Sequence, residues 1–77
     1  MTGFVWYVFN CKNHQEKYWA FAKRIARNYN LVSYATMPNV ITMNACNSKE
    51  EALQTAEGWN KLYQANGTYN AIWTEQN

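Results

Sequence analysis

The chain contains no aspartate, a single histidine (His14), two serines, two cysteines, three glycines and one proline. Each shortage removes a class of chemistry. General acid–base catalysis leans on Asp, Glu and His. A Ser-His-Asp constellation cannot be drawn without Asp, and the serines Ser33 and Ser48 fall in a β-type run and at a helix start. With Gly3, Gly58 and Gly67 scattered, no glycine-rich phosphate loop exists. Cys11 and His14 form a C-x-x-H pair, but structural zinc needs four ligands and Cys46 is expected far away. The chain therefore reads as a non-enzyme with no catalytic residues, no metal ligands and no cofactor. Its opening segment, MTGFVWYVFNCKN, has no basic n-region, and its apolar run is too short to span a bilayer. A cytoplasmic protein without membrane contact, holding reduced thiols, is the expectation. The Asn66-Gly67-Thr68 sequon would then go unused.

What remains is aromatic and nearly neutral. Of 77 residues, 48% are hydrophobic and 17% aromatic, including four Trp and six Tyr. That suffices for one small folded domain spanning residues 1–77, though a chain this short buries only about 60% of its unfolded surface. The net charge of +2 is lower than duplex-binding domains carry. Basic residues concentrate between Lys12 and Arg27, and acidic ones between Glu50 and Glu57.

Phe4–Cys11 is β-branched and aromatic almost throughout, which predicts a central strand buried on both faces. Asn13 and Glu16 fit a capping box, and Tyr18, Phe21, Ala22, Ile25 and Tyr29 recur at helical spacing, predicting a helix over 14–28. Leu31–Met37 and Val40–Cys46 read as two strands around a Pro38-Asn39 turn. Ser48 and Glu51 form a second capping box ahead of a helix to Ala65, stopped by Asn66-Gly67. Gly58, inside that helix, is costly unless helix and sheet approach closely there. Tyr69–Thr74 reads as a last strand. The order βαββαβ, with Cys11/Asn13/Glu16 matching Cys46/Ser48/Glu51 in register, predicts an α+β ferredoxin-like two-layer sandwich.

Each cysteine would precede a helix, where a thiolate can be stabilised. The first and third strands would be antiparallel neighbours, however, placing Cys11 and Cys46 at opposite ends of the sheet, too far apart to pair. Both then read as small apolar residues at strand ends. Base stacking in RNA-recognition domains of this strand order uses aromatics on the first and third strands. The third strand here, VITMNAC, has none. Phe4, Trp6, Val8, Val32, Tyr34 and Trp73 could share one sheet face, and an open face of that kind would be a contact surface.

The stretch NSKEEALQTAEGWNKLYQANGTY resembles small uncharacterised proteins of bacteriophages and mobile elements of Gram-positive bacteria. The resemblance rests on Ser48, Lys49, Glu51, Ala52, Trp59, Asn60, Tyr63, Asn66, Gly67, Thr68 and Tyr69, under a third of the chain. Caps, core and stop signals account for these residues except Asn60. The resemblance implies an accessory protein that modulates or inhibits a host factor, such as a defence system, by stoichiometric protein contact. The expected partner-binding residues are Trp6, Tyr34, Trp73 and Asn60, with the basic helix face Lys23, Arg24 and Arg27. A host protein is the expected partner, and a homo-oligomer the expected state. The alternative is a single-stranded nucleic-acid or nucleotide binder that stacks bases on aromatics and grips phosphate with the basic helix face.

Overall fold

The computed structural model describes residues 3–72. Its elements are β1 (Phe4–Lys12), β2 (Tyr18–Ala26), α1 (Val32–Ala35), β3 (Val40–Cys46) and α2 (Lys49–Ala65). The class is α+β, with an antiparallel sheet in the order β2-β1-β3. The order among the described residues is ββαβα, so the expected ferredoxin-like βαββαβ arrangement is not formed there. No helix among them is long and apolar enough to cross a membrane.

The main correction lies at 14–28. The expected helix is instead a tight loop followed by β2, which pairs with β1 from Phe4↔Ala26 to Lys12↔Tyr18. Asn13 caps, but it caps a hairpin: its Oδ1 accepts the N–H groups of Gln15 and Lys17. The Asn13 N–H also donates to the Lys17 carbonyl, and the Asn13 carbonyl accepts from the Glu16 N–H. Glu16 takes the left-handed conformation, φ 62°. This is a type I turn followed by a left-handed residue, a standard three-residue hairpin connection. Asx side chains bond nearby N–H groups in turns as readily as at helix starts.

Tertiary demand decides in favour of the strand. β1 is buried as its composition predicts, with Val8 and Phe9 almost wholly inaccessible. A strand buried on both faces needs hydrogen-bonded neighbours on both edges. Residues 18–26 supply apolar side chains to both faces when read with period two. Tyr18, Ala20 and Ala22 join Trp6 and Val8 beneath α2. Trp19, Phe21 and Ile25 join Tyr7, Phe9 and Cys11 on the opposite side. A helix would have buried only one stripe.

The expected strand at Leu31–Met37 is also corrected. It forms the single helical turn α1, which carries the chain from β2 past β1 to β3 and lays Leu31 and Tyr34 on the second face. Thr36 donates its hydroxyl to the Val32 carbonyl, a local bond available to a helical turn. β3 and α2 occur where expected. Ser48 Oγ accepts the Glu51 N–H, and the Glu51 carboxylate accepts the Asn47 N–H. Of the expected Tyr69–Thr74 strand, the described part makes one parallel bridge, Tyr69 to Tyr18. Its remainder lies outside the described residues.

The core is thus two layers of side chains on one sheet. Alanines at 20, 22, 52 and 56 line the α2 interface, and Tyr63 closes it by donating its hydroxyl to the buried Asn10 Oδ1.

Candidate binding site

At one end of the sheet, three strands and the start of α2 surround a concavity of about 550 Å³. Trp6 sits in its floor. In register, Trp6 faces Arg24 on β2 and Cys46 on β3. Alternation along β1 places Phe4 on the same face as Trp6. Beyond Cys46 the chain turns through Asn47 and Ser48 into α2, forming a wall. Arg27, just past β2, completes the rim and reaches the Phe4 carbonyl with its guanidinium at 3.5 Å.

Arg24 and Arg27 are the charged residues of the described lining, and the Glu51 carboxylate accepts the N–H of the lining residue Asn47. The Arg24 guanidinium carbon lies 4.3 Å from the Phe4 ring centre, and Lys49 Nζ lies 5.8 Å from the Trp6 ring centre. Such cation–aromatic pairs hold flat apolar surface and positive charge side by side. Phe4 is 43% exposed. The first turn of α2 is less hospitable to an anion. It carries Glu50 and Glu51, and the Asn47 and Glu51 N–H groups already donate to side chains.

Of the residues singled out in the sequence, Trp6, Arg24 and Arg27 therefore come together. Lys23 does not. With a strand in place of the expected helix, Lys23 and Arg24 point to opposite sheet faces, and the basic helix face is absent. Tyr34 packs on the other side of the sheet, edge-on to Phe9 at 5.5 Å and beside Tyr29 at 5.4 Å. Phe4, Trp6 and Val8 thus do not share a face with Tyr34. Trp73 lies outside the described residues.

Asn60 has a structural role. Its side-chain amide accepts from the Ala20 N–H at 2.7 Å and donates to the Ala20 carbonyl at 2.9 Å. Among the described residues β2 is an edge strand, and this amide bonds its outer edge at Ala20. Thr68 and Asn70 do the same at Tyr18. Lys49, whose Nζ approaches the Trp6 ring, is outside the contact residues expected from the sequence, where it figures only beside a helix cap in the stretch that resembles phage proteins.

The surroundings of neither thiol favour the thiolate. Burial pushes the Cys11 thiol up to about 11. Cys46 is also raised, first by burial and then by the Glu51 carboxylate. Cys11 pairs with Val40 and Cys46 with Trp6, so they occupy opposite ends of the β1–β3 ladder, as the antiparallel reading required. Both are free. Among the described residues, no three His, Cys, Asp or Glu side chains are grouped to hold a metal. Comparison of the chain with protein-family models, curated proteins and solved structures finds no match to any of them.

Proposed function

We propose that this chain is a small non-enzymatic binding protein of the phage or mobile-element kind, which modulates or inhibits a host factor by stoichiometric protein contact. Its contact site is the concavity around Trp6. One observation carries the reading: the aromatic side chains Phe4 and Trp6 and the cations Arg24 and Arg27 line one concavity, with Lys49 Nζ 5.8 Å from the Trp6 ring centre. Aromatic and arginine side chains in a concave setting are the residue types that dominate protein-binding energetics. The chemistry that fits is an acidic segment of a host protein carrying an apolar side chain beside its carboxylates. A carboxylate would bridge Arg24 and Arg27, and the apolar group would rest on Phe4.

A nucleotide or single-stranded nucleic acid fits less well. β3 offers no aromatic side chain, so the sheet lacks that strand's share of a base-stacking platform. Fluorescence anisotropy with two probes separates these readings: a Glu-rich peptide carrying phenylalanine, and an oligothymidylate. The expected result is binding of the peptide, weakened at least about tenfold in Arg24→Glu with circular dichroism unchanged. Preference for the oligothymidylate, with affinity falling steeply in salt, would move the assignment to nucleic acid. Binding of neither probe would remove the site.

A further inference from the structure

Of the asparagines in the chain, Asn66 alone is followed by glycine. That pair carries chemistry beyond its role as the stop signal of α2. Asparagine side chains are labile in water. Glycine, without a Cβ, leaves its own nitrogen free to approach the side chain before it. When the Gly67 N–H loses its proton to hydroxide, the nitrogen attacks Cγ of Asn66. The new N–Cγ bond forms, the Cγ–Nδ2 bond breaks, and ammonia leaves. The product is a five-membered succinimide. Water then opens either of its two carbonyls, giving aspartate or isoaspartate at position 66. Both residues of the pair are exposed, so hydroxide and water reach them.

The fold opposes the first step. Asn66 is the C-terminal cap of α2, with φ −85° and ψ −4°. Ring closure requires the Gly67 nitrogen to eclipse Cβ of Asn66. At ψ −4° it eclipses the Asn66 nitrogen instead, turned away from Cγ. The Gly67 N–H is also engaged, donating to the Gln64 carbonyl at 3.1 Å. The Thr68 N–H donates to the Tyr63 carbonyl at 2.9 Å, and Gly67 takes the left-handed conformation, φ 73°. These two bonds and the left-handed glycine are a Schellman motif. Rotation about ψ of Asn66 breaks both bonds. It also strains the next link, because the Thr68 carbonyl accepts the Tyr18 N–H at 2.7 Å on the outer edge of β2. Reaction therefore requires the end of α2 to open together with residues 67–70, a local unfolding event rather than a side-chain rotation.

The conversion is not neutral to the fold. Aspartate adds negative charge at the helix end whose free carbonyls are already negative. Isoaspartate also adds a carbon to the main chain, which moves Gly67 out of register with Gln64 and Tyr63. Lys17, whose Nζ lies 3.5 Å from the Gly67 carbonyl oxygen, offsets part of the charge but not the altered backbone.

We propose that Asn66 is the chain's site of spontaneous deamidation, and that the Schellman cap of α2 sets its rate. The proposal is independent of what the Trp6 concavity binds, since Asn66 lies at the opposite end of α2 from the residues that line it.

Incubation of the chain in mildly alkaline buffer, folded and in urea, tests this when followed by peptide mapping with mass spectrometry. In urea the amide-to-acid mass gain is expected first at Asn66, located by fragmentation. In the folded chain the same conversion is expected to be at least about tenfold slower, since only the opened fraction reacts. Thr68→Pro removes the N–H that bonds Tyr63 and leaves the reacting pair intact. It is expected to speed conversion in the folded chain and to leave the rate in urea unchanged, with circular dichroism verifying the fold. If that variant does not fold, the comparison of folded and urea-treated wild type decides alone. Conversion in urea that appears first at another asparagine or not at all, equal rates folded and in urea, or a folded Thr68→Pro chain no faster than the wild type would each overturn the proposal.

Discussion

A few side chains do work that their residue type alone does not announce. Asn60 is the clearest. A mid-helix asparagine is neutral at best for helix formation, yet its amide closes the open edge of β2 at Ala20. Asn60→Ala leaves a part-buried N–H and carbonyl without those bonds and is expected to cost about 1–3 kcal/mol. Chemical denaturation measures the loss, and faster hydrogen exchange at the Ala20 amide localises it. Glu16 is the opposite case, a side chain where glycine would serve better. Its positive φ carries a penalty of about 1–2 kcal/mol for an L-residue. Its ion pair with Lys12 is exposed, at 3.6 Å, and contributes little. Glu16→Gly is therefore expected to raise the melting temperature by several degrees, and no change in a thermal scan would contradict the turn assignment.

Cys11 makes stability depend on alkaline pH. Its thiol is held protonated by burial, with a folded value raised from 9.0 to about 11. Between those values the folded chain binds the proton more tightly than the unfolded chain. The contribution is thus fully present below about pH 9 and is lost as pH rises through about 11. A two-unit shift corresponds to on the order of 2 kcal/mol. Tyr63 is also raised, first by burial and then by Tyr18 and Cys11, and adds to the decline above pH 10. Urea unfolding at pH 8, 9.5 and 10.5 is expected to show falling stability, with a shallower fall in Cys11→Ala. An unchanged slope in that variant would place the titration elsewhere.

Among the elements, α2 was legible in the sequence and β2 was not, for a physical reason. The signals of α2 are local: a Ser48 cap, Glu51 reaching back, an apolar stripe and the Asn66-Gly67 stop, with Gly67 at φ 73°. Nothing outside those residues is needed to read them. The segment 18–26 satisfies helical and strand periods together, because it is apolar on nearly every side. Asn13 satisfies a helix cap and an Asx turn with the same oxygen. What selects the strand is the vacant edge of β1, a non-local requirement that no window of sequence contains. Gly58 belongs to this scale as well. Its would-be Cβ meets open space, so Gly58→Ala is expected to stabilise the isolated chain by about 1 kcal/mol in dilute thermal or urea unfolding. Destabilisation would mean that an unrecognised close approach exists within the chain.

For the whole molecule, placing Trp6 beneath the start of α2 and Arg24 beside it follows from the hairpin register. That register converts a basic segment read as one helix face into a strand with Arg24 on the α2 side and Lys23 on the other. The sequence showed which residue types were available for contact. The register decided which of them meet. Phe4, Trp6, Arg24, Arg27 and Lys49 form one positive aromatic surface, while Tyr34 is spent on the second core against Phe9. The proposed function rests on that convergence. It is tested most directly by titrating the isotopically labelled chain with the Glu-rich, phenylalanine-bearing peptide while recording amide shifts. Perturbations confined to the amides of Phe4, Trp6, Arg24, Arg27, Cys46 and Lys49 are the predicted result. Perturbations absent there, or centred on Tyr34 and the second sheet face, would contradict it.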